Sequence, residues 1–260
     1  MSAQSIGILR IAGLFAAALA IVAGGLLVSD AGAGGATSAQ SVVLGKTSVY
    51  PSSGCPDPDK CEVIARVTGI QMKADGVDHP FRSPITGRLV AWWLKLPRLH
   101  STQIQSFNSL FGGEPAARVA ILRRGKGGRF RLVRQGPTQA LKADLDGKGR
   151  ARYRLAEPLV VKEGDYIGLT AITWIPAFAV NLDAAANYWL ASRTKDKCAT
   201  PPASRPKRFA AYYRRTQAQL RTSTVKEYQC TYQTARLLYW ARIVADAPES
   251  PGGGTSPQGG

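Results

Sequence analysis

Apolar and polar positions alternate in short runs through most of the chain, and Gly, Pro and Asp separate one run from the next. A period of two is typical of a β-strand that buries one face. We interpret the following segments as strands: 62–72, 87–96, 118–124, 129–135, 150–155, 159–172 in two halves, and 236–245. The tetrapeptide GKGG joins two of them as a hairpin. About eight or nine strands with frequent turns predict an all-β, antiparallel β-sandwich.

Two segments have helical rather than strand spacing. The apolar residues of Ser101–Phe111 recur at helical intervals, which predicts a short helix on a long connection. Residues 207–220 align Phe209 and Tyr213 on one helical face, with Arg and Gln elsewhere. A helix there would be basic and amphipathic, suited to contact with a membrane or an anionic polymer. A strand or loop is the alternative for this segment.

The N-terminal 33 residues have the features of a targeting segment. Arg10 precedes an almost wholly apolar stretch over 11–28, and Ala31-Gly32-Ala33 fits the small-residue pattern at which signal peptides are cleaved. An uncleaved N-terminal membrane anchor is the alternative, because 18 apolar residues approach the length that spans a bilayer. Both interpretations predict a secreted or cell-surface protein.

The remainder divides by composition into three parts. Small and polar residues over 34–44 predict a flexible lead-in, and 45–246 holds all the strand patterns and is predicted to form a single β-sandwich domain. The Gly, Pro and Ser of 247–260 bury nothing, so we expect a disordered tail.

The net charge is +17, from 34 Lys and Arg against 17 Asp and Glu. Loss of 1–33 leaves this charge unchanged, because Arg10 and Asp30 cancel. A charge of this size draws a protein toward anionic surfaces and polymers. A compositional bias toward Arg, without any selected partner, is the alternative explanation.

Four cysteines allow three disulfide pairings. We favour Cys55–Cys61, since the Pro-rich pentapeptide between them already turns the chain, together with Cys198–Cys230. A zinc site is the competing interpretation, but the spacing lacks CxxC and no His lies nearby. Two disulfides agree with export.

The carboxylates of turns are weak catalytic candidates. Asp165 lies in KEGD between two apolar runs, where a turn needs Gly and Asp, so we interpret it as a turn residue. ADLDGKGR places Asp144 and Asp146 as in a calcium loop, but Lys148 occupies a liganding position and Leu155 stands where a bidentate Glu is needed. We therefore interpret this segment as a turn as well, and predict no metal.

No G-x-S-x-G or H-E-x-x-H motif is present in the sequence, and His79 and His100 are the only imidazoles, each beside turn or loop residues. We expect no catalysis and no cofactor. A carboxylate-dependent hydrolase stays open as an alternative, because its two acids can lie far apart in sequence. The unassigned acids are Asp75, Asp78, Asp183 and Glu227.

Arginines at period two are the first binding candidates. Arg150, Arg152 and Arg154 leave one face of a strand, and Arg129 and Arg131 repeat the arrangement in the hairpin. If the strands are neighbours, the sheet carries a row of guanidinium groups suited to phosphate or carboxylate. An anionic cell-wall polymer, a polysaccharide or nucleic acid would fit, and a merely solvated strand face is the alternative.

Tryptophans are the second binding candidates. Trp92 and Trp93 are adjacent, so a strand sends them to opposite faces, one into the core and one to the surface as a platform for a sugar ring. Trp174, beside Pro176 in TWIPAF, is a third candidate at a loop. Burial in the core is the alternative for each.

The stretches PFRSPITGRLVAWWLKL, PLVVKEGDYIGLTAITWIPAFAV and YQTARLLYWARIV resemble a group of secreted actinobacterial proteins. This resemblance covers roughly 62–245 and implies an exported β-sandwich of jelly-roll character with no catalytic residues to transfer. Residues 207–226 depart from the pattern, being longer and more basic. The function expected is thus an exported, non-catalytic protein that binds an anionic or carbohydrate polymer, with a structural or protein-interaction domain and a hydrolase as alternatives.

Overall fold

A computed structural model describes residues 40–55, 61–146, 148, 150–201 and 204–246. The strands are β1 (Ser41–Leu44), β2 (Ile64–Ala74), β3 (Val77–Asp78), β4 (Gly87–Lys95), β5 (Ala116–Arg124), β6 (Arg129–Gln135), β7 (Gln139–Ala140), β8 (Arg150–Val161), β9 (Tyr166–Ile175), β10 (Phe178–Ala179), β11 (Tyr188–Ala191), β12 (Val225–Glu227), β13 (Cys230–Gln233), β14 (Arg236–Leu237) and β15 (Tyr239–Ala245). The α-helices are α1 (Ser101–Phe111) and α2 (Pro206–Arg214). The segments interpreted as signal peptide and tail lie outside the described residues.

Two antiparallel sheets form the sandwich. The smaller sheet has the order β1-β15-β4-β8, and the larger has the main path β12-β6-β5-β9-β2-β11-β13. Among the eight frame strands, the first in the chain pairs with the last, and the pairing continues inward: β1 with β15, β2 with β9, β4 with β8, β5 with β6. This nested pairing across two sheets is the topology of a jelly roll. The predicted all-β sandwich of jelly-roll character is confirmed.

The core lies between the two sheets and is aromatic. Trp92 and Tyr239 project inward from the smaller sheet, and the Tyr239 hydroxyl donates to the carbonyl oxygen of Ile167 on the larger sheet at 2.8 Å. Phe81 stacks on Tyr239 with ring centroids 3.8 Å apart. The two sheets are therefore joined by packing and by a buried hydrogen bond.

The last part of the expected flexible lead-in is instead a strand. Ser41–Leu44 forms β1, whose residues pair with β15 from Ala241 to Val244. Val42, Val43 and Leu44 are all apolar and two of them are β-branched, which favours a strand although the segment has no polar alternation. The sandwich begins at Ser41, before the boundary at residue 45 that composition predicted.

Both helices lie where helical spacing indicated. α1 has the predicted bounds, and α2 begins at Pro206 and ends at Arg214, so the helical alternative for 207–220 is confirmed only over its first part. The aromatic residues of α2 pack on Phe111 of α1, with ring centroids 5.8 Å away for Phe209 and 4.9 Å for Tyr213. This apolar face is therefore occupied by the protein itself and is not free to enter a membrane, which corrects that expectation.

An insertion between β9 and β15 extends the larger sheet. It contributes β11 and β13, which pair with each other and continue the sheet beyond β2. Both predicted disulfides are present, Cys55–Cys61 and Cys198–Cys230, and the second closes this insertion. Two disulfides indicate folding in an oxidising, non-cytoplasmic environment. Over the ranges given above, neither helix is long and apolar enough to cross a bilayer.

Candidate anion-binding groove

The outer face of the smaller sheet carries the arginines of β8. Arg150, Arg152 and Arg154 are exposed, whereas Ala151 between them and Leu155 after them are each 7% exposed and pack into the core. The alternation predicted from sequence is confirmed for this strand. All three guanidinium groups therefore leave the sheet on one side.

Strand register places cations and aromatic rings in rows across this face. Arg154 lies beside Ala91, which lies beside Arg242 of β15. Neighbouring strands are about 4.8 Å apart, so the two arginines flank the small alanine at roughly 10 Å. In the next row Arg152 lies beside Trp93. The small side chain of Ala91 leaves a trench between the two arginines.

Two adjoining cavities occupy this trench. The first has a volume of about 340 Å³ and the second about 370 Å³, and both are lined by Arg152 and Arg242. The remaining lining residues are Val43, Lys46, Trp93 and Arg150 in the first, and Val90, Ala91, Arg154 and Leu155 in the second. Because they share two arginines, the cavities lie side by side along the surface, and we call the two together the basic groove.

The electrostatics of the basic groove are one-sided. Among the described residues, its lining contains five cations, namely Lys46, Arg150, Arg152, Arg154 and Arg242, and no carboxylate. Within the described part of the chain, none of these five forms an ion pair. Their field is therefore directed at solvent and attracts anions. Guanidinium groups also offer the planar pairs of donors that match phosphate and carboxylate.

Stacked aromatic rings form one wall of the groove. Trp93 is half-buried and stacks on the buried Trp240 with centroids 6.4 Å apart, and Tyr50 leans on Trp240 from the other side at 5.8 Å. The Arg150 guanidinium lies over both rings, 5.2 Å from Tyr50 and 5.5 Å from Trp240. Lys95 holds the neighbouring loop by donating to the Pro51 carbonyl at 2.8 Å. Arg150 is thus positioned before any ligand binds.

The structure brings only one of the three tryptophan candidates to the surface. Trp92 and Trp174 are fully buried. The Trp174 indole donates to Asn108 Oδ1 and to the Gly113 carbonyl, both at 3.0 Å, so β9 extends through the predicted loop and docks α1. The proposed sugar platform is therefore wrong for Trp92 and Trp174, and only Trp93 lies on the groove.

The two arginine runs do not form a single row. Arg129 and Arg131 lie on β6 of the larger sheet, whereas β8 belongs to the smaller one. Arg129 pairs with Glu227 at 3.5 Å and Arg131 donates to the Ser223 carbonyl at 3.0 Å. Their guanidinium groups hold the β6–β12 edge together, which corrects the expectation that they join a common binding face.

Two basic residues of the groove were missed by sequence reasoning. Arg242 follows the same alternation as β8, since Tyr239, Ala241 and Ile243 point inward, so the period of two could have found it. Lys46 lies after β1 in a segment without any pattern, and only the fold brings it to the groove.

Asp165 builds its turn as predicted and has a second role. Its Oδ2 accepts the Lys162 backbone N–H at 3.0 Å, and the carboxylate also binds Arg123 through two hydrogen bonds of 2.8 and 2.9 Å. The carboxyl group is 2% exposed. This pairing raises the pKa of Arg123 through the hydrogen bond to Asp165. The corner therefore links the β8–β9 turn to the end of β5.

The carboxylates considered for a hydrolase are each held by nearby protein groups. Asp75 pairs with the buried Arg236, and Asp78 lies 3.8 Å from Lys73. Asp183 Oδ1 accepts the Ala185 N–H at 2.9 Å, and Glu227 pairs with Arg129. Each of the four acids therefore has its own partner in the protein.

The residues that resembled a calcium loop, and both histidines, also have partners. Asp144 accepts the Tyr153 hydroxyl at 2.6 Å, and burial together with this contact raises the pKa of Tyr153. Asp146 pairs with Lys148 at 2.9 Å. His79 Nδ1 lies 3.3 Å from the Tyr166 hydroxyl, and the His100 backbone N–H donates to Gln103 Oε1 at 3.0 Å at the start of α1. Among the described residues, no three His, Cys, Asp or Glu side chains converge as a metal ion would need.

Fold and groove together define a disulfide-bonded jelly-roll sandwich with a cationic groove on one sheet. In comparisons with known proteins, no family model, no curated protein and no solved structure matches the chain. The resemblance to secreted actinobacterial proteins therefore stays a prediction, and the function has to be argued from the groove itself.

Proposed function

We propose that the chain is an exported, non-catalytic binding protein of the cell envelope or extracellular space. In this proposal the basic groove holds an anionic polymer that contains sugar rings. The observation that supports it most directly is the composition of the groove lining, where the described residues bring together five cations and the half-buried Trp93 without a carboxylate. The two disulfides and the apolar N-terminal stretch support export.

The arrangement suits a polymer better than a small molecule. Ligand pockets for small molecules enclose most of the ligand surface, whereas the basic groove runs along the sheet from Arg150 to Arg154. Successive arginines on β8 are about 6.7 Å apart along the strand, so they contact several charged groups of one chain in turn. Trp93 offers a partly exposed ring face beside them, on which a sugar ring can stack.

Two observations favour this binding role over the alternatives. A protein-interaction domain would present a contiguous apolar patch, but the large exposed apolar residues of the described chain lie on four separate elements. These residues are Val49, Tyr50, Val77, Leu110 and Val225. A hydrolase would need two free carboxylates in a cleft, and the acids considered above are engaged elsewhere.

Binding should be measured against a polyuronate, a polyol-phosphate polymer and a neutral glucan over a salt series. We expect binding to the two anionic polymers that weakens steeply with salt, because the contacts release counterions. Replacing Arg152 and Arg242 with Ala should weaken binding at least tenfold, since a hydrogen bond to a charged group is worth about 1.5–3 kcal/mol and about 1.4 kcal/mol corresponds to tenfold.

Lys126→Ala is the control, because Lys126 is an exposed cation in the β5–β6 turn outside the groove. Equal affinity of the double variant and the control would contradict the proposal, as would salt-independent binding. The polyol-phosphate polymer has charge but no sugar ring, so it separates recognition of charge from recognition of sugar. If it binds as tightly as the polyuronate, the groove selects charge alone and Trp93 contributes no sugar recognition.

A further inference from the structure

A second concentration of positive charge lies in the part of the insertion that connects β11 to β13. Residues 193–226 contain ten Lys and Arg and one carboxylate, Asp196. Seven of these cations are exposed, among them Lys195, Lys197, Lys207, Arg208 and Arg215. We call these five residues the insertion surface.

The charge of the insertion is not neutralised by the protein. In the part of the chain that the structure describes, no Lys or Arg between residues 193 and 226 forms an ion pair with a carboxylate. Lys226 is half-buried and donates to the carbonyl oxygens of Gln217 at 2.8 Å and Ala218 at 3.2 Å. Burial and the nearby charge of Lys197 lower the pKa of Lys226. These cations therefore repel one another in the free protein, and an external anion would relieve that repulsion.

Arg193 holds the base of the insertion and is itself without a carboxylate partner in the described chain. It is 6% exposed, donates to the Tyr232 hydroxyl at 2.7 Å and lies over the rings of Tyr212 and Tyr232 at 5.3 and 5.8 Å. Its buried Nε has no hydrogen-bond partner among the described residues. A cation buried in this way adds to the positive potential of the surface above it.

The insertion surface is held in place rather than carried on a free loop. The disulfide Cys198–Cys230 fixes the residue next to Lys197 to β13. On the other side, α2 packs Phe209 and Tyr213 against Phe111 while Lys207 and Arg208 stay exposed. Fixed cations lose less conformational freedom on binding, so they bind an anion with less entropic cost.

The insertion surface and the basic groove belong to different sheets and share no residue. The groove lies on β4, β8 and β15 of the smaller sheet, whereas the insertion is built on β11 and β13 of the larger one. One stretch of polymer in the groove therefore leaves the insertion surface free for another.

We propose that the insertion surface binds a second segment of anionic polymer, so that one protein molecule bridges two polymer chains. This proposal rests on the proposed function of the groove. It predicts a cross-linking activity that a single binding site would not give, because two sites on one rigid body join separate chains.

Light scattering tests the bridging in dilute solutions of polyuronate or polyol-phosphate polymer that are titrated with the protein. Single-site affinity is measured in parallel on a short oligomer of each polymer. The test variant replaces Lys195, Lys207 and Arg208 with Glu. The matched control replaces Arg124, Lys126 and Lys162 with Glu, which gives the same change in net charge in the exposed β5–β6 and β8–β9 turns. Circular dichroism and thermal unfolding confirm that both variants fold.

We expect the wild type and the control to raise scattering at sub-stoichiometric protein. The insertion variant should bind the oligomer within about threefold of wild type but lose at least tenfold of the scattering. Scattering by the insertion variant at the level of the control would overturn the bridging proposal. Wild-type protein that binds the oligomer without raising scattering would also overturn it and leave the groove proposal standing, whereas no oligomer binding at all would contradict the proposed function.

Discussion

The outer faces of the two sheets differ although they belong to one jelly-roll frame. The outer face of the smaller sheet is open and lined by unpaired cations and one half-buried tryptophan. The outer face of the larger sheet is partly covered by the segment 216–222 that precedes β12 and by Tyr228 after it, and a second apolar cluster is buried there. The comparison teaches that the same frame can close one face for stability and leave the other available for a ligand.

The covered face is closed by a network of satisfied polar groups. Gln219 is buried and bonds in three directions: its backbone N–H donates to Thr68 Oγ1 at 2.9 Å, its Nε2 donates to the Phe130 carbonyl at 3.1 Å, and its Oε1 accepts the Tyr228 hydroxyl at 2.9 Å. Thr68 in turn meets Thr170 at 3.0 Å. Buried polar groups that all have partners position one chain on another. Among the described residues of the open face, the groove cations form no such network, and Arg152, Arg154 and Arg242 are exposed to solvent.

The largest expected difference between the faces is in stability. Phe130→Ala removes a ring that is 1% exposed and contacts Tyr166 and Tyr228, so it should lower the free energy of unfolding by about 3–5 kcal/mol. Trp93→Ala on the open face should lower the free energy of unfolding by clearly less than Phe130→Ala, because part of the Trp93 ring is already in water. Urea unfolding at constant m-value measures both. Equal losses would show that the open face is as tightly packed as the covered one.

The strands were predictable because their period of two reports a buried face, and the helix Ser101–Phe111 because its period is helical. β6 has the predicted bounds for the same reason. Register was not predictable, since no local pattern says that Arg154 lies across from Ala91 in the smaller sheet. Nor does any local pattern say that Arg131 lies across from Val225 in the larger sheet. For that reason sequence found three of the groove arginines but wrongly added Arg129 and Arg131 to them.

Tryptophan burial shows a second limit of sequence reasoning. Adjacency correctly divided Trp92 from Trp93, because alternate residues of a strand face opposite ways. Trp174 beside Pro176 suggested a loop, but β9 runs on to Ile175 and the indole is held by α1. The partner was 66 positions away in sequence, beyond the reach of any local pattern.

Opening the insertion is the next largest expected effect. Replacing Cys198 and Cys230 with Ser should lower the free energy of unfolding by about 3–4 kcal/mol on the loop-entropy model, because the closed loop spans 32 residues. Hydrogen exchange should increase first on β6 and β12 of the covered face and least on β4 and β8 of the open face. The Cys55–Cys61 disulfide closes a loop of only 6 residues. The matched double variant Cys55→Ser and Cys61→Ser should therefore lower the free energy of unfolding by about 2 kcal/mol. Uniform exchange over both sheets would contradict the division between the faces.

Alkaline pH should act on the covered face through Tyr228. Burial raises the pKa of Tyr228 well above its ordinary value, so the folded protein keeps the phenol proton while the unfolded chain releases it near pH 10. Stability from this group is therefore fully present below about pH 10 and is lost as pH rises above it. Unfolding free energies from pH 8 to 11 should fall steeply for the wild type and less steeply for Tyr228→Phe.

Tyr228→Phe should itself cost about 1 kcal/mol at pH 8, because Gln219 Oε1 loses its donor. The remaining slope in this variant should come from other tyrosines whose pKa is also raised by burial, among them Tyr153 and Tyr239, which joins the two sheets. An unchanged slope in Tyr228→Phe would show that the covered face does not limit alkaline stability.

The smallest expected effect on stability comes from the open face. Arg152→Ala removes an exposed side chain that forms no ion pair among the described residues, so the free energy of unfolding should change by less than about 0.5 kcal/mol. At low salt the change should be toward higher stability, because Arg152 lies between Arg150 and Arg154 on one strand and its removal relieves repulsion. Thermal unfolding at low and high salt measures this. A loss of stability comparable to that of Phe130→Ala would mean that the arginines build the fold, and the open face would then be no more available to a ligand than the covered one.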